Sequence, residues 1–178
     1  MNSVKYLVKI FFIFFVCVGF AQKSNIYSHQ SIRYNSAISL YNNQQYKSAQ
    51  LIFQTVKSST SDSFLKSNAT YYIANCAVRL NQPNAEFLLE SFTRDHPSST
   101  KRNSAYFEIA NYYFKTSKYG YACKWYEKVE FNRLSRLNSE LFHFNYGYSL
   151  YKIKKYEKAK SNLIRLETSQ VYGSQAKY

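Results

Sequence analysis

Glycine, proline, cysteine and acidic residues are all scarce in this chain of 178 residues. The 4 glycines and 2 prolines are too few for an all-β fold, which needs a turn about every 8–12 residues, and they exclude collagen-like and low-complexity disordered chains. Three cysteines cannot supply the disulfide framework of a small secreted scaffold. With 10 acidic and 24 basic residues the net charge is +14, which favours an anionic partner or surface without specifying a fold. Aromatic residues, in contrast, make up 19% of the chain, so the composition predicts a helical, basic and aromatic protein.

Sequence motifs of catalysis, phosphate binding and metal binding are missing as well. No GxxxxGK[ST] or GxGxxG loop occurs, which removes the common phosphate-binding turns. The histidines stand apart, at His29, His96 and His143, and none has a second ligand at the spacing of a zinc site. Neither Cys76 nor Cys123 has an accompanying histidine and orienting group in the sequence, as a cysteine nucleophile requires. We therefore expect a protein that is not an enzyme and that holds no metal or cofactor.

The N-terminus has the pattern of a secretory signal peptide. Lys5 and Lys9 begin it, and an uninterrupted apolar run follows at 10–20, shorter than the roughly 20 residues of a membrane-spanning helix. Residues 19–21 are Gly, Phe and Ala. Small residues therefore stand at positions −3 and −1 of a cleavage site before Gln22, as signal-peptide cleavage requires. We predict a signal peptide over 1–21 and a mature chain of net charge +12; the alternative is an uncleaved anchor.

Export would place Cys76 and Cys123 in an oxidising compartment. They lie 47 residues apart and form no CxxC pattern, and spacing alone does not decide whether they are joined. A disulfide and two separately packed apolar side chains both remain open. Bulky Phe15 and Val16 precede Cys17, where lipoprotein signals have a small residue, so we expect no lipid anchor.

A repeat of about 37 residues runs through the rest of the chain. Three segments read Tyr-x-x-Ala and end at Ala49, Ala122 and Ala159, and Ala85 takes the corresponding place in a fourth, with spacings of 36, 37 and 37 residues. Apolar residues follow each alanine at i+4 and i+7, which predicts a helix with one apolar stripe in every unit. An upstream series of small residues has spacings of 37, 36 and 37 and predicts a second helix in each unit: Ala37, Ala74, Ala110 and Gly147.

Each unit therefore predicts a helix, a tight turn and a second helix. The fold class that follows is all-α, an α-solenoid of stacked antiparallel helix hairpins. The predicted organisation is a short linker at 22–29, then repeats at 30–63, 64–99, 100–136 and 137–170, the second being one residue short at its turn. Residues 171–178 are similar to the opening of another unit, and no polar cap follows, so we expect the chain to be the N-terminal fragment of a longer repeat protein.

The units resemble the tetratricopeptide repeat (TPR) family, whose two helices carry a fixed series of large, small and aromatic positions. The third unit fits that series best, with Tyr106, Ile109, Ala110, Tyr113, Ala122, Tyr126 and Val129. Two features differ: the period exceeds the 34 residues typical of the family, and only the second unit keeps the terminal proline, as Pro97. A period of 36–37 resembles the TPR-like proteins of bacterial envelopes, including outer-membrane assembly proteins.

The resemblance implies a binding groove on the concave face, which the first helices line. We expect aromatic, amide and basic side chains there, because rings supply contact area at low entropy cost and amides can satisfy the backbone of an extended peptide. The other interpretation is that these side chains pack between the helices. The candidate binding residues are Tyr34, Tyr41, Tyr71, Asn75, Arg79, Phe107, Asn111, Phe114, Lys115, Phe144, Tyr148 and Tyr151, with Lys152 at the basic margin.

The sequence thus predicts a non-enzymatic protein–protein interaction scaffold of the bacterial cell envelope, in the periplasm or on the periplasmic face of the outer membrane. Its partner would be a protein or peptide segment, acidic in character, and peripheral association with the envelope would suit the basic charge. The main alternative is a structural subunit of an envelope assembly complex that docks through its convex face; a third is binding to the peptidoglycan polymer. Nucleic acid, which can stack on rings over a basic groove, is disfavoured by the predicted export.

Overall fold

The computed structural model describes residues 29–177, and every regular element in that range is helical. The prediction of an all-α fold is confirmed. The predicted signal peptide at 1–21 and most of the linker at 22–29 lie outside the described residues. The helices are α1 (29–42), α2 (Tyr46–Ser59), α3 (Ser63–Arg79), α4 (Ala85–Asp95), α5 (Arg102–Lys115), α6 (Tyr119–Tyr126), α7 (Arg136–Lys152) and α8 (Tyr156–Leu163), with short 3₁₀ helices at Phe131–Arg133, Ile164–Leu166 and Gln175–Lys177.

The tight turn inside each hairpin has the same backbone geometry in all four hairpins. One residue in each turn is left-handed, with φ of 61°, 51°, 58° and 62° at Gln44, Asn81, Ser117 and Lys154. Its N–H bonds to the carbonyl three residues back, and the next N–H bonds to the carbonyl five residues back, which is the Schellman arrangement that ends many helices. These turns are 37, 36 and 37 residues apart, so the predicted period is confirmed in the backbone.

The second hairpin absorbs its missing residue where α4 begins. Ala49, Ala122 and Ala159 each donate a backbone hydrogen bond to the carbonyl four residues back, whereas Ala85 donates to Gln82, three residues back. The preceding residue, Asn84, is also left-handed, with φ of 58°. Asn tolerates that conformation better than most residues, and its presence there lets the shorter connection still bring Ala85 into the core.

The apolar stripes of the second helices are buried, as their spacing predicts. Phe53 and Val56 of α2 and Leu89 and Phe92 of α4 are fully or almost fully buried. The second helices of the last two hairpins end earlier than the i+7 pattern predicts, because α6 stops at Tyr126 and α8 at Leu163. Backbone hydrogen bonds to the carbonyl three residues back tighten the chain beyond α6 and keep Val129 buried.

The chain divides into two compact units, residues 1–69 and 70–178, with the division inside α3. In the first unit, Ala37, Ala49, Phe53 and Val56 are buried, and the ring of Tyr34 packs edge-on against Phe53 at 5.6 Å between centroids. Gln30 donates a hydrogen bond to the carbonyl of Ser59 at 2.6 Å, which ties the start of α1 to the end of α2.

In the second unit, each helix packs on the next one along the chain: α4 on α5, α5 on α6, α6 on α7 and α7 on α8, while α5 also contacts α7. This is the consecutive packing of a solenoid of helical hairpins. Gly147 lies where α7 and α8 pack closely, because an added Cβ would stand 2.8 Å from the Leu163 side chain. The three other members of that small-residue series are buried alanines, so the small residues serve the close helix packing that their spacing predicts.

Candidate partner-binding surface

Two predicted binding residues, Asn75 and Asn111, are buried inside the helical stack. Asn75 is completely buried and donates from Nδ2 to the Tyr71 hydroxyl oxygen at 3.1 Å. Asn111 Oδ1 accepts from the Tyr126 hydroxyl at 2.6 Å and from Asn145 Nδ2 at 3.0 Å. Asn111 therefore bonds to the neighbouring helices α6 and α7, and Asn75 bonds to Tyr71 of its own helix. Both positions agree with the interpretation that these side chains pack inside the stack.

The polar contacts between first helices recur from one hairpin to the next. Asn111 of α5 bonds to Asn145 of α7, and Asn75 of α3 interacts with the corresponding side chain of α5, Glu108. The three asparagines are buried and Glu108 is half-buried, and we call these four residues the buried polar ladder. Burial raises the pKa of Glu108, and Arg79, whose Nη2 lies 3.0 Å from Glu108 Oε1, opposes that rise. Burial likewise raises the pKa of the Tyr126 phenol, so it stays protonated and donates to the ladder.

Tyr71 and Phe107, predicted to line the groove, are also buried. Tyr71 is 7% exposed and packs against Phe92 at 5.6 Å between ring centroids, and Phe107 is 3% exposed and packs against Tyr126 at 6.4 Å. Both rings thus fill the space between the two helices of their own hairpin. Arg79 remains exposed, although its guanidinium is engaged by Glu108.

The predicted residues nearer the turn form a continuous aromatic surface. Phe114, Tyr119 and Tyr148 pack edge-on against one another, with centroid distances of 6.0 Å for Phe114–Tyr119 and 5.8 Å for each of the other pairs. Phe144 stacks on Tyr172 at 4.9 Å and on Tyr148 at 6.4 Å. All five rings are half-buried, and we call them the aromatic surface.

Lysines border the aromatic surface. Lys115 and Lys152 are exposed, and the Lys152 ammonium lies 5.1 Å from the centroid of the Tyr148 ring, a cation–π contact. A hydrogen bond to Tyr148 raises the pKa of Lys152, so this lysine keeps its charge at any physiological pH. The arrangement offers apolar ring faces beside fixed positive charge, which suits a ligand with aromatic or aliphatic groups and carboxylates.

The sequence interpretation missed Tyr119 and Tyr172, two of the five rings. A signal for Tyr119 exists: an aromatic pair five residues apart brackets the turn in three hairpins, as Tyr41–Tyr46 at 5.4 Å, Phe114–Tyr119 and Tyr151–Tyr156 at 5.8 Å. The second hairpin has Val78 and Pro83 at those places. Tyr172 lies after the last hairpin, and no repeat position predicts it.

Two cysteines and one of the three histidines are buried, whereas His29 is exposed and His96 half-buried. The Cys76 and Cys123 thiols are not joined to each other and are buried, and burial raises the pKa of each to about 11, so neither is a ready nucleophile. His143 is buried, with Nδ1 3.1 Å from Asn162 Oδ1. Among residues 29–177, no group of three or more His, Cys, Asp or Glu side chains could hold a metal ion, and no helix is long and apolar enough to cross a membrane.

A second set of ring and lysine pairs lies on α6 and on the residues directly after it. Lys128 stands 3.9 Å above the centroid of the Trp125 ring, and Lys124 lies 5.5 Å from that of Tyr121. Tyr121 is 57% exposed and stacks on Tyr113 at 5.4 Å. This α6 surface has the same chemistry as the aromatic surface and provides an internal comparison for it.

Comparison of the chain with known protein families, curated proteins and solved structures finds no match.

Proposed function

We propose that the protein is a non-enzymatic interaction scaffold, related to the TPR proteins, that is exported into the bacterial envelope and holds a partner protein on its aromatic surface. The observation that supports this most strongly is the contact of Phe114 and Tyr119 of the third hairpin with Tyr148 of the fourth, three half-buried rings with Lys152 beside them. Rings held by their neighbours lose little entropy on binding, and such residues are enriched at binding hot spots.

The bound segment would be acidic, with apolar side chains. Lysines at the margin would accelerate its association by attraction over about 10 Å at moderate salt, while the rings would slow its release. The buried polar ladder would not touch the partner; it would hold α5 and α7 in the register that brings Phe114 to Tyr148. Export and an envelope location rest on the signal-peptide pattern of residues 1–21.

Affinity capture from a native envelope extract tests the proposal. The bait is residues 22–178, beside a Tyr148→Ala/Lys152→Gln variant that removes one ring and its cation. The matched control is Tyr121→Ala/Lys124→Gln, since the two pairs have similar geometry, 5.1 Å and 5.5 Å between ammonium and ring centroid. We expect a partner that the wild type and the control retain and the Tyr148 variant loses.

The second candidate function is a structural subunit of an envelope assembly complex that docks through the α6 surface. The exposed Tyr121 and the close Lys128–Trp125 pair favour it. The same experiment separates the two, because a partner lost only from the Tyr121 variant would assign binding to α6. A partner retained by both variants would contradict both proposals.

A further inference from the structure

The turn ends of the last two hairpins carry a dense group of lysines. Lys115 and Lys118 flank the α5–α6 turn, and Lys152, Lys154 and Lys155 lie at the α7–α8 turn. All five are exposed, and we call them the basic turn edge. The contacts of Tyr148 with Phe114 and Tyr119 bring the two turns side by side, so the lysines belong to one continuous surface.

Acidic residues near this edge are few. The Lys115 charge opposes the burial-driven rise in the pKa of Glu108, and Glu157 follows Lys155 by two residues. Neither segment 109–126 nor segment 141–156 contains an Asp or Glu. None of the ion pairs in the described part of the chain uses a lysine of the edge. Within the fold, Lys152 and Lys118 make cation–π contacts with Tyr148 and Tyr113, and the like charges of the edge repel one another.

The turn geometry does not require lysine. The turns at 42–45 and 81–84 adopt the same left-handed conformation and the same pair of backbone hydrogen bonds, yet they consist of Asn, Gln and Pro. The lysines are therefore a property of the third and fourth hairpins, added to a backbone that forms without them. Five lysines gathered on one surface, which the turn geometry does not require, point to an external anionic ligand.

Tyrosines accompany the lysines at the same edge. Tyr151 and Tyr156 are 51% and 56% exposed and contact each other across the α7–α8 turn. Tyrosine has an apolar ring and a polar tip, the combination that is enriched where a protein meets the headgroup region of a bilayer. The charges are all lysine ammonium groups, point charges that suit a diffuse negative surface better than the paired carboxylates that arginine selects.

We propose that the basic turn edge docks the protein on an anionic phospholipid bilayer, with the lysines on lipid phosphates and the Tyr151 and Tyr156 rings among the headgroups. The charge of the edge matches that of such a surface, and the tips of two adjacent turns can meet a flat layer together. Lys115 and Lys152 also border the aromatic surface, so the bilayer and an acidic partner would share these two lysines, whereas Lys118, Lys154 and Lys155 would serve the bilayer alone.

Cosedimentation with lipid vesicles tests this docking. Residues 22–178 are mixed with vesicles of phosphatidylcholine alone or of equal parts phosphatidylcholine and phosphatidylglycerol, at low and at high salt. We expect binding to the anionic vesicles only, weakened by salt. A Lys152→Gln/Lys154→Gln/Lys155→Gln variant should bind about a hundredfold more weakly, from the typical contribution of each basic residue near an anionic surface.

Two controls keep the result specific. Lys152→Arg/Lys154→Arg/Lys155→Arg retains the charge and should bind like the wild type, and Lys47→Gln/Lys57→Gln/Lys66→Gln removes the same charge from the other unit and should also bind. Circular dichroism establishes that each variant is helical. The full chain on neutral vesicles measures what the apolar run at 10–20 adds by itself.

The proposal is overturned by equal binding to neutral and anionic vesicles, by no binding to either, or by equal loss in the two glutamine variants. It is also overturned if the wild type ignores vesicles but binds an acidic peptide or single-stranded RNA through the same lysines, because the ligand would then be a different macromolecule.

Discussion

Helix α5 has two regions of opposite character, one helical turn apart. At Asn111 the helix is covered by its neighbours, and the amide oxygen accepts hydrogen bonds from Asn145 of α7 and from the Tyr126 hydroxyl. We call this the closed region. At Phe114 and Lys115 the helix is partly accessible to solvent, with a half-buried ring and an exposed ammonium group. We call this turn end, with the corresponding end of α7, the open region. Helix α7 repeats the division between buried Asn145 and the Tyr148–Lys152 pair. In α5 and α7 the middle of the helix therefore maintains the stack, whereas the turn end carries half-buried rings and exposed lysines.

The largest expected change in stability comes from a substitution in the closed region, at Asn111. Asn111→Ala leaves the Tyr126 hydroxyl and the Asn145 amide without their shared acceptor, and unsatisfied buried donors cost about 1–3 kcal/mol each. We expect the free energy of unfolding to fall by about 2–4 kcal/mol, measured by urea denaturation.

Exposed Asn132 provides the control for that measurement. Asn132→Ala should change the free energy of unfolding by less than about 0.5 kcal/mol. Equal effects of the two substitutions would show that Asn111 is not held in the ladder.

The second prediction compares two glycines. Gly147→Ala places a methyl group against Leu163, and overpacking of this kind typically costs about 1–3 kcal/mol. Nothing lies within 4 Å of a Cβ built on Gly120, so Gly120→Ala should stabilise by about 0.5–1 kcal/mol through helix propensity. Thermal denaturation followed by circular dichroism should shift the two midpoints in opposite directions; a rise for both would contradict the close approach of α7 and α8.

The third prediction concerns pH. Burial lowers the pKa of His143 in the folded protein, whereas the unfolded chain should have the usual value near about 6.5. Its contribution to stability is therefore complete above that pH and is lost as the pH falls through it, because the unfolded state binds the proton more readily. Urea denaturation from about pH 8 to about pH 5 should show a shallower decline for His143→Gln than for the wild type; identical slopes would mean that His143 is protonated without difficulty in the fold.

The smallest predicted change in stability comes from a substitution in the open region, at the α7–α8 turn. Lys154 occupies a left-handed position that costs a non-glycine residue about 1–2 kcal/mol. Glycine removes this cost, and its greater freedom in the unfolded chain offsets part of the gain. Lys154→Gly should therefore stabilise by up to about 1 kcal/mol. Lys155, with φ of −90°, is the matched position at which glycine should destabilise instead, and a gain at both would argue against the turn geometry.

The fold could be predicted from the sequence because its signals are local. A small residue every 36 or 37 positions, with apolar residues at i+4 and i+7, needs no knowledge of distant contacts to indicate paired helices. Even the short second turn was visible as a missing residue, although only the structure shows that left-handed Asn84 accommodates it.

The candidate site was predictable only in part because burial depends on the neighbouring hairpin. Asn111 and Tyr148 occupy equivalent repeat positions, but Asn145, 34 residues further along the chain, takes up the Asn111 amide, while Tyr148 packs against Phe114 and Tyr119 at the turn. Periodicity places both on the first-helix face and does not say which one a later helix covers.

The proposal is that the first helices use their middle for packing and their turn end for binding a partner. Site-specific photocrosslinking in intact cells tests this division most directly. A photoreactive amino acid would replace Tyr148 on the aromatic surface, Tyr121 on the α6 surface or Phe107 in the core, in three separate variants. We predict an adduct with a partner protein from position 148, none from position 107, and little from position 121. A partner crosslinked from position 121 and not from position 148 would contradict the assignment of binding to the aromatic surface.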